Sequence, residues 1–228
     1  MGARSVINGV LLLIVTYLPA FIAVSILVSL DLSFASTLPA NLWMPPIVVG
    51  ITVSTAILLI VTVGKGQFAQ YGFRPPQSSY IWRALFIGFV VGVLLHFATE
   101  LGGVGLSFMG QPPFIYLVLL FWIGAPIQEE IIFRGLFQSY LATSIKGSVT
   151  VWKWKLPIPA LIGAIAFSLV HIALLSVEAT VGGVFATVAG ALILGIFAGY
   201  FRAETGSLVE PIIIHALFNV TGIVFEIL

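Results

Sequence analysis

From Phe114 to Leu141 the chain reads FIYLVLLFWIGAPIQEEIIFRGLFQSYL. The first half is apolar enough for lipid, yet Gln128, Glu129, Glu130 and Arg134 follow within the same run. A helix needs about 20 mostly apolar residues to cross a bilayer, so the run has the length of a span. An ionised residue at the centre of such a span costs about 2.5–3.5 kcal/mol on the translocon scale. Residues of this kind persist where they pair, face a polar cavity or perform chemistry. Pro126 stands in the middle, where a kink is expected, and the run is long enough to pass beyond the bilayer.

The composition settles the surroundings of this stretch. Of 228 residues, 60% are hydrophobic and 7% charged, and the mean hydropathy is +1.19. A soluble domain carries roughly 25% charged residues, so this chain cannot dress a water-facing surface. The fold class it implies is all-α, a polytopic membrane helix bundle. The net charge of +1 gives no electrostatic case for a nucleic-acid partner. Cysteine is absent, which excludes disulfides and cysteine-based metal or redox chemistry.

About seven transmembrane helices can be read, running roughly Val6–Leu30, Met44–Val63, Ile81–Leu101, Phe114–Leu141, Ala160–Leu175, Gly183–Tyr200 and Leu208–Ile227. The first exceeds the roughly 7–15 residues of a signal-peptide core and reads as a retained span, despite the small residues around Phe34-Ala35-Ser36. Pro157 and Pro159 suit the start of the fifth. With the N-terminus cytoplasmic, Arg4, Lys65 to Arg83, Arg134 to Lys155 and Arg202 all fall inside. The outer segments hold Asp31, Glu100, Glu178 and Glu226 and no basic residue. That is the positive-inside pattern, with Trp82, Trp152 and Trp154 near the inner interface. The expected location is therefore integral and multi-pass, in the cell membrane if the source is prokaryotic.

Few polar residues remain within the spans, and helical spacing pairs them. Glu130 and Arg134 are four apart and can form an ion pair on one face. Glu129 is turned about 100° from Glu130, so the two carboxylates need not share a role. Phe167 and His171 are four apart in the fifth span, and His215 and Asn219 repeat the spacing in the seventh. His96 and Glu100 form a similar pair, read as an interface contact, and Glu210-Pro211 opens the last span with an acid. Gly195-x-x-x-Gly199 fits close helix packing.

Glu129-Glu130-x-x-x-Arg134, Phe167-x-x-x-His171 and His215-x-x-x-Asn219 resemble the three signature motifs of the CPBP family of intramembrane proteases. That family includes the Rce1-type CAAX prenyl endopeptidases and the ABI proteins. The resemblance covers roughly Phe121 to Val220, so residues 1–113 read as N-terminal scaffold helices and 114–228 as the catalytic core. It implies an intramembrane endopeptidase in which Glu129 and His171 position and deprotonate a water. His215 and Asn219 would then hydrogen-bond the developing oxyanion, and Glu130, Arg134 and Phe167 would support them. Some members are described as metal-binding, and Glu129, His171 and His215 would supply three ligands to a catalytic zinc. The HExxH helix of soluble zinc proteases is absent. Glutamate-activated and metal-activated water both stay open.

Taken singly, each residue has a plainer role: an ion pair for Glu130–Arg134, packing for Phe167, interhelical hydrogen bonds for His171 and Asn219. Two further functions fit the same residues. One is a proton-coupled transporter with Glu129, Glu130, His171 and His215 as a relay, although no internal repeat supports it. The other is a non-catalytic scaffold or immunity protein. The expected partners are the lipid bilayer and a peptide or membrane-protein substrate, of which prenylated CAAX-type chains are one class.

Overall fold

A computed structural model of the chain describes residues 2–30, 40–101, 113–151, 153–173 and 181–227. Among them are seven helices and one short hairpin. The helices are α1 (Gly2–Ser29), α2 (Ala40–Thr62), α3 (Ser78–Leu101) and α4 (Phe114–Ser144). After the hairpin come α5 (Ile158–Val170), α6 (Val181–Thr205) and α7 (Val209–Ile227). The chain is an integral, multi-pass, all-α membrane protein. Five helices are long and apolar enough to cross a bilayer, namely α1, α2, α3, α4 and α6. The stretches Ile158–Ala173 and Val209–Thr221, where the fifth and seventh spans were expected, are apolar but shorter. Asp31 and Glu178, the Phe34-Ala35-Ser36 segment and Trp152 lie outside the described residues, as do the side chains of Glu100 and Glu226.

The hairpin was not anticipated by an all-helical reading. Ser148–Val151 (β1) pairs antiparallel with Trp154–Pro157 (β2). Gly147 enters β1 with φ +103, a left-handed conformation open to glycine. Pro157 then stands at the N-cap of α5 with Pro159 in its first turn, where a missing N–H costs nothing.

Helix α4 is not a uniform α-helix. It widens to π-helix over Leu117–Gly124 and again over Ile131–Gln138, leaving one α segment, Ala125–Glu130, between them. Pro126 does not break the helix. The N–H of Ala125 bonds the carbonyl of Leu120, five residues back, and Pro126 has no N–H to offer. The Phe121 carbonyl therefore has no partner within its own helix from either residue.

The core gathers around the second wide stretch. Ile132, Phe133 and Leu136 are fully buried and pack with Phe167 of α5, Leu194 and Phe201 of α6 and Ile214 of α7. Small residues bring the helices together. A Cβ at Gly195 would lie 2.9 Å from the Ala164 backbone, and one at Gly199 would lie 3.1 Å from Ala160 Cβ. The same spacing in α3 works on α7, where a Cβ at Gly88 would lie 2.9 Å from Ile214 Cα. Outward faces carry exposed apolar side chains such as Phe21, Phe86 and Phe185, as lipid contact requires.

Candidate active site

Helices α4, α5 and α7 each bring one motif to the middle of the bundle. Glu130 is fully buried at the point where α4 passes from α- to π-helix. Its Oε1 accepts from Arg134 Nη1 at 3.0 Å and lies 2.8 Å from His215 Nδ1. A carboxylate only accepts, so His215 carries its proton on Nδ1 and donates it. The ion pair expected from the i, i+4 spacing is thus present, and it also reaches across to α7. Arg134 is equally buried, and its guanidinium sits 4.4 Å from the centre of the Phe167 ring. Such stacking suits a desolvated arginine.

Glu129 differs in environment. Its side chain is 25% exposed, and Oε2 stands 3.6 Å from His215 Nε2, beyond hydrogen-bond reach. The two glutamates point at opposite nitrogens of one imidazole. One is locked and the other is free to engage something else. Tyr17 of α1 is close enough to couple electrostatically to Glu129. No motif in the sequence marks Tyr17, and only the packing of α1 against the core brings it there.

His171 occupies the C-cap of α5, and its Nδ1 lies 2.9 Å from the Phe167 carbonyl. A carbonyl cannot donate, so Nδ1 carries the proton and Nε2 keeps a lone pair. The Phe167 ring stands edge-on to both histidines, 5.0 Å from His171 and 5.7 Å from His215. It meets Phe133 in the same way at 5.2 Å, so one ring separates and spaces the site's bases.

Asn219 lies one turn beyond His215 and donates from Nδ2 to the Phe121 carbonyl at 2.9 Å. That is the carbonyl released by the wide turn and by Pro126. Asn219 keeps its second N–H and its own carbonyl for other partners. Gln128 Nε2 donates to Thr52 Oγ1 of α2 at 2.8 Å, which ties the glutamate-bearing segment to a second helix.

Glu130, Arg134, Phe167 and His215 are thus in direct contact, with Glu129 3.6 Å from His215, His171 beside Phe167 and Asn219 one turn beyond His215. Among the described residues no three His, Asp or Glu side chains converge as a metal-holding group. Of the zinc ligands considered above, His215 gives Nδ1 to Glu130 and His171 gives Nδ1 to a carbonyl, which leaves Nε2 of each as the atom that would ligate. These side chains and Glu129 do not converge as a metal-holding group as they stand, and no step is derived through a metal.

Residues 111–221 match the family described as type II CAAX prenyl endopeptidase, Rce1-like. This region belongs to the Rce1-like family. The match runs from just before α4 to Thr221 of α7, so it contains every residue of the cluster. No match was found among curated proteins or among solved structures. At the level of the family, the Rce1-like region is that of a CAAX-type intramembrane protease acting on a membrane-associated peptide. Helices α1, α2 and α3 lie outside it, yet α1 approaches Glu129 through Tyr17, and Gly88 of α3 sets the seat of α7.

Proposed function

We propose that the chain is an intramembrane endopeptidase in which Glu129 is the general base and His171 its partner in holding the attacking water. The observation that carries this reading is the asymmetry of the glutamates. Glu130 is fully buried and hydrogen-bonded to both Arg134 and His215, whereas Glu129 is partly exposed and faces His215 Nε2 only at 3.6 Å. A base must be within reach of the proton it takes, and of the two only Glu129 is open to a water, the unpartnered Oε2 of Glu130 being sealed in the core.

In this scheme the water sits between Glu129 and the lone pair on His171 Nε2, and attacks the scissile carbonyl. Glu129 takes the proton. The carbonyl oxygen becomes an oxyanion and meets the free N–H of Asn219 and Nε2 of His215. His215 donates from Nε2 only when the ring holds both protons, with the Glu130 carboxylate accepting at Nδ1. Donors fixed in a water-poor site are worth far more than in solution. The proton held by Glu129 then passes to the leaving amine as the tetrahedral species collapses. Arg134 and Phe167 act by holding Glu130 and the imidazoles in place.

The substrate reading is a membrane-associated chain cut near its C-terminus, with prenylated CAAX sequences the first to test. A lateral approach between apolar helices would admit a prenyl chain. The test is release of the terminal tripeptide from a labelled farnesylated CAAX peptide by detergent-purified protein, beside Glu129→Ala and beside a chelator. Release by wild type alone supports the protease and the substrate class. Loss of release in the chelator arm would replace the glutamate mechanism with a metal-assisted one. No release from this peptide, with cleavage of an unprenylated membrane peptide, would reject the prenyl specificity and keep the protease.

A further inference from the structure

At the basic end of the bundle, where α4 meets the hairpin, a cavity of about 640 Å³ opens between α4, β2 and α6. Its lining includes Gln138, Ser139, Thr143, Lys146 and Arg202, and it contains two cations and no carboxylate. Arg202 is only 8% exposed. Its Nη2 donates to the Gln70 carbonyl at 2.7 Å and to Ser139 Oγ at 2.9 Å, both neutral acceptors. Its Nε has no hydrogen-bond partner, and among the described residues no carboxylate pairs with it.

The neighbouring acids are turned elsewhere. Glu204 is exposed, and Glu210 accepts from the backbone N–H of Gln77 at 2.7 Å and lies 3.4 Å from Thr205 Oγ1. Arg74 is near enough to add a second positive charge. Gly72, with φ +96, makes room for the guanidinium, since a Cβ there would lie 2.7 Å from Arg202 Nε. A desolvated charge without a counter-charge is strongly unfavourable, so the fold holds Arg202 ready for an anion.

We propose that this cavity binds the phosphate of an anionic phospholipid headgroup, with Arg202 as the buried counter-charge and Lys146 at the mouth. The position favours lipid over a soluble anion. Trp154 of β2 stacks on Tyr200 of α6 at 4.9 Å, on two of the elements that wall the cavity, as interfacial aromatic residues do, and the basic residues of the connections gather at this end. Basic pockets between membrane helices on the cytoplasmic side recurrently take anionic headgroups. The site is separate from the glutamates, because the intervening residues Ile131–Gln138 are all buried.

The experiment titrates full-length protein in neutral detergent with short-chain phosphatidylglycerol, short-chain phosphatidylcholine or inorganic phosphate, and reads the thermal midpoint. Phosphatidylglycerol should raise it in wild type and phosphatidylcholine should not. Thr143→Glu places a carboxylate in the cavity from an exposed position, and should weaken the phosphatidylglycerol effect by about fivefold or more. Arg202→Gln should abolish it if the variant folds, and the Thr143 variant decides the matter if it does not. An equal response to both lipids, or an undiminished response in Thr143→Glu, would overturn the proposal. A response to inorganic phosphate as large as that to phosphatidylglycerol would keep the anion site and overturn its assignment to lipid.

Discussion

Oε1 of Glu130 and Nδ1 of His215, 85 residues apart in the chain, lie 2.8 Å from each other in the centre of the bundle. The same oxygen holds Arg134, so one carboxylate atom joins two turns of α4 to α7. This contact makes Glu130 part of the architecture, and the proposed mechanism leaves the chemistry to Glu129. Each role can be separated by mutation.

Glu130→Gln should lower both stability and activity. It leaves the Arg134 charge buried without its partner, and breaking such a pair costs about 3–5 kcal/mol. Thermal unfolding in detergent should show a clear fall in Tm, with peptide cleavage falling alongside.

Glu129→Gln should do the reverse. Glu129 makes no direct hydrogen bond to His215 at 3.6 Å, so the Tm should stay near that of wild type. Loss of a general base should cut kcat by roughly 10²–10⁴. A folded variant with full activity would remove Glu129 from the mechanism.

Asn219→Ala should act twice. It leaves the Phe121 carbonyl without a donor, worth about 1–3 kcal/mol. In the proposed mechanism it also removes an oxyanion donor, worth about 10²–10³ in kcat. Pro126→Ala restores a backbone N–H within reach of that carbonyl, so in this background the stability cost of Asn219→Ala should shrink while the kinetic cost remains. A double-mutant cycle on Tm and kcat reads both.

Gly88→Ala tests whether a helix outside the Rce1-like region sets the geometry of the site. The added Cβ would stand 2.9 Å from Ile214 Cα, next to His215, and must push α7 away. Overpacking of this kind costs about 1–3 kcal/mol. Misplacing a catalytic group by about 1 Å can cost on the order of 10²-fold in rate. Activity should therefore fall more than Tm, whereas Gly50→Ala, with open space at its Cβ, should change neither.

Much of this molecule could be read before any coordinates. Charge scarcity and long apolar runs required a membrane bundle, and the polar residues at i, i+4 in three runs marked the helices that meet. The Gly195 and Gly199 spacing pointed to the close approach that α5 makes through Ala160 and Ala164. Other features follow from tertiary context that spacing does not encode. A hydrophobicity pattern cannot reveal that α4 widens on both sides of its glutamates, because the same residues satisfy an α-helix. The partner of Asn219 is a backbone carbonyl freed by that widening, and no side chain announces it. The hairpin at Ser148–Pro157 has strands of only four residues each, too short for an alternation signal to stand out. Tyr17 belongs to no motif, and only the packing of α1 against the core brings it towards Glu129.

The two wide stretches of α4 have a bearing on how the glutamates are aimed. A surplus residue in a helical turn can migrate along the chain, and each step it takes swings the neighbouring segment by about 100°. In this protein both surpluses are pinned. Asn219 holds the Phe121 carbonyl upstream, and Ser139 Oγ holds the Arg134 carbonyl downstream at 3.1 Å. The six residues between the stretches, Ala125–Glu130, are thereby locked in rotational phase. Glu129 and Glu130 keep their separate bearings on His215 because the helix that carries them cannot turn.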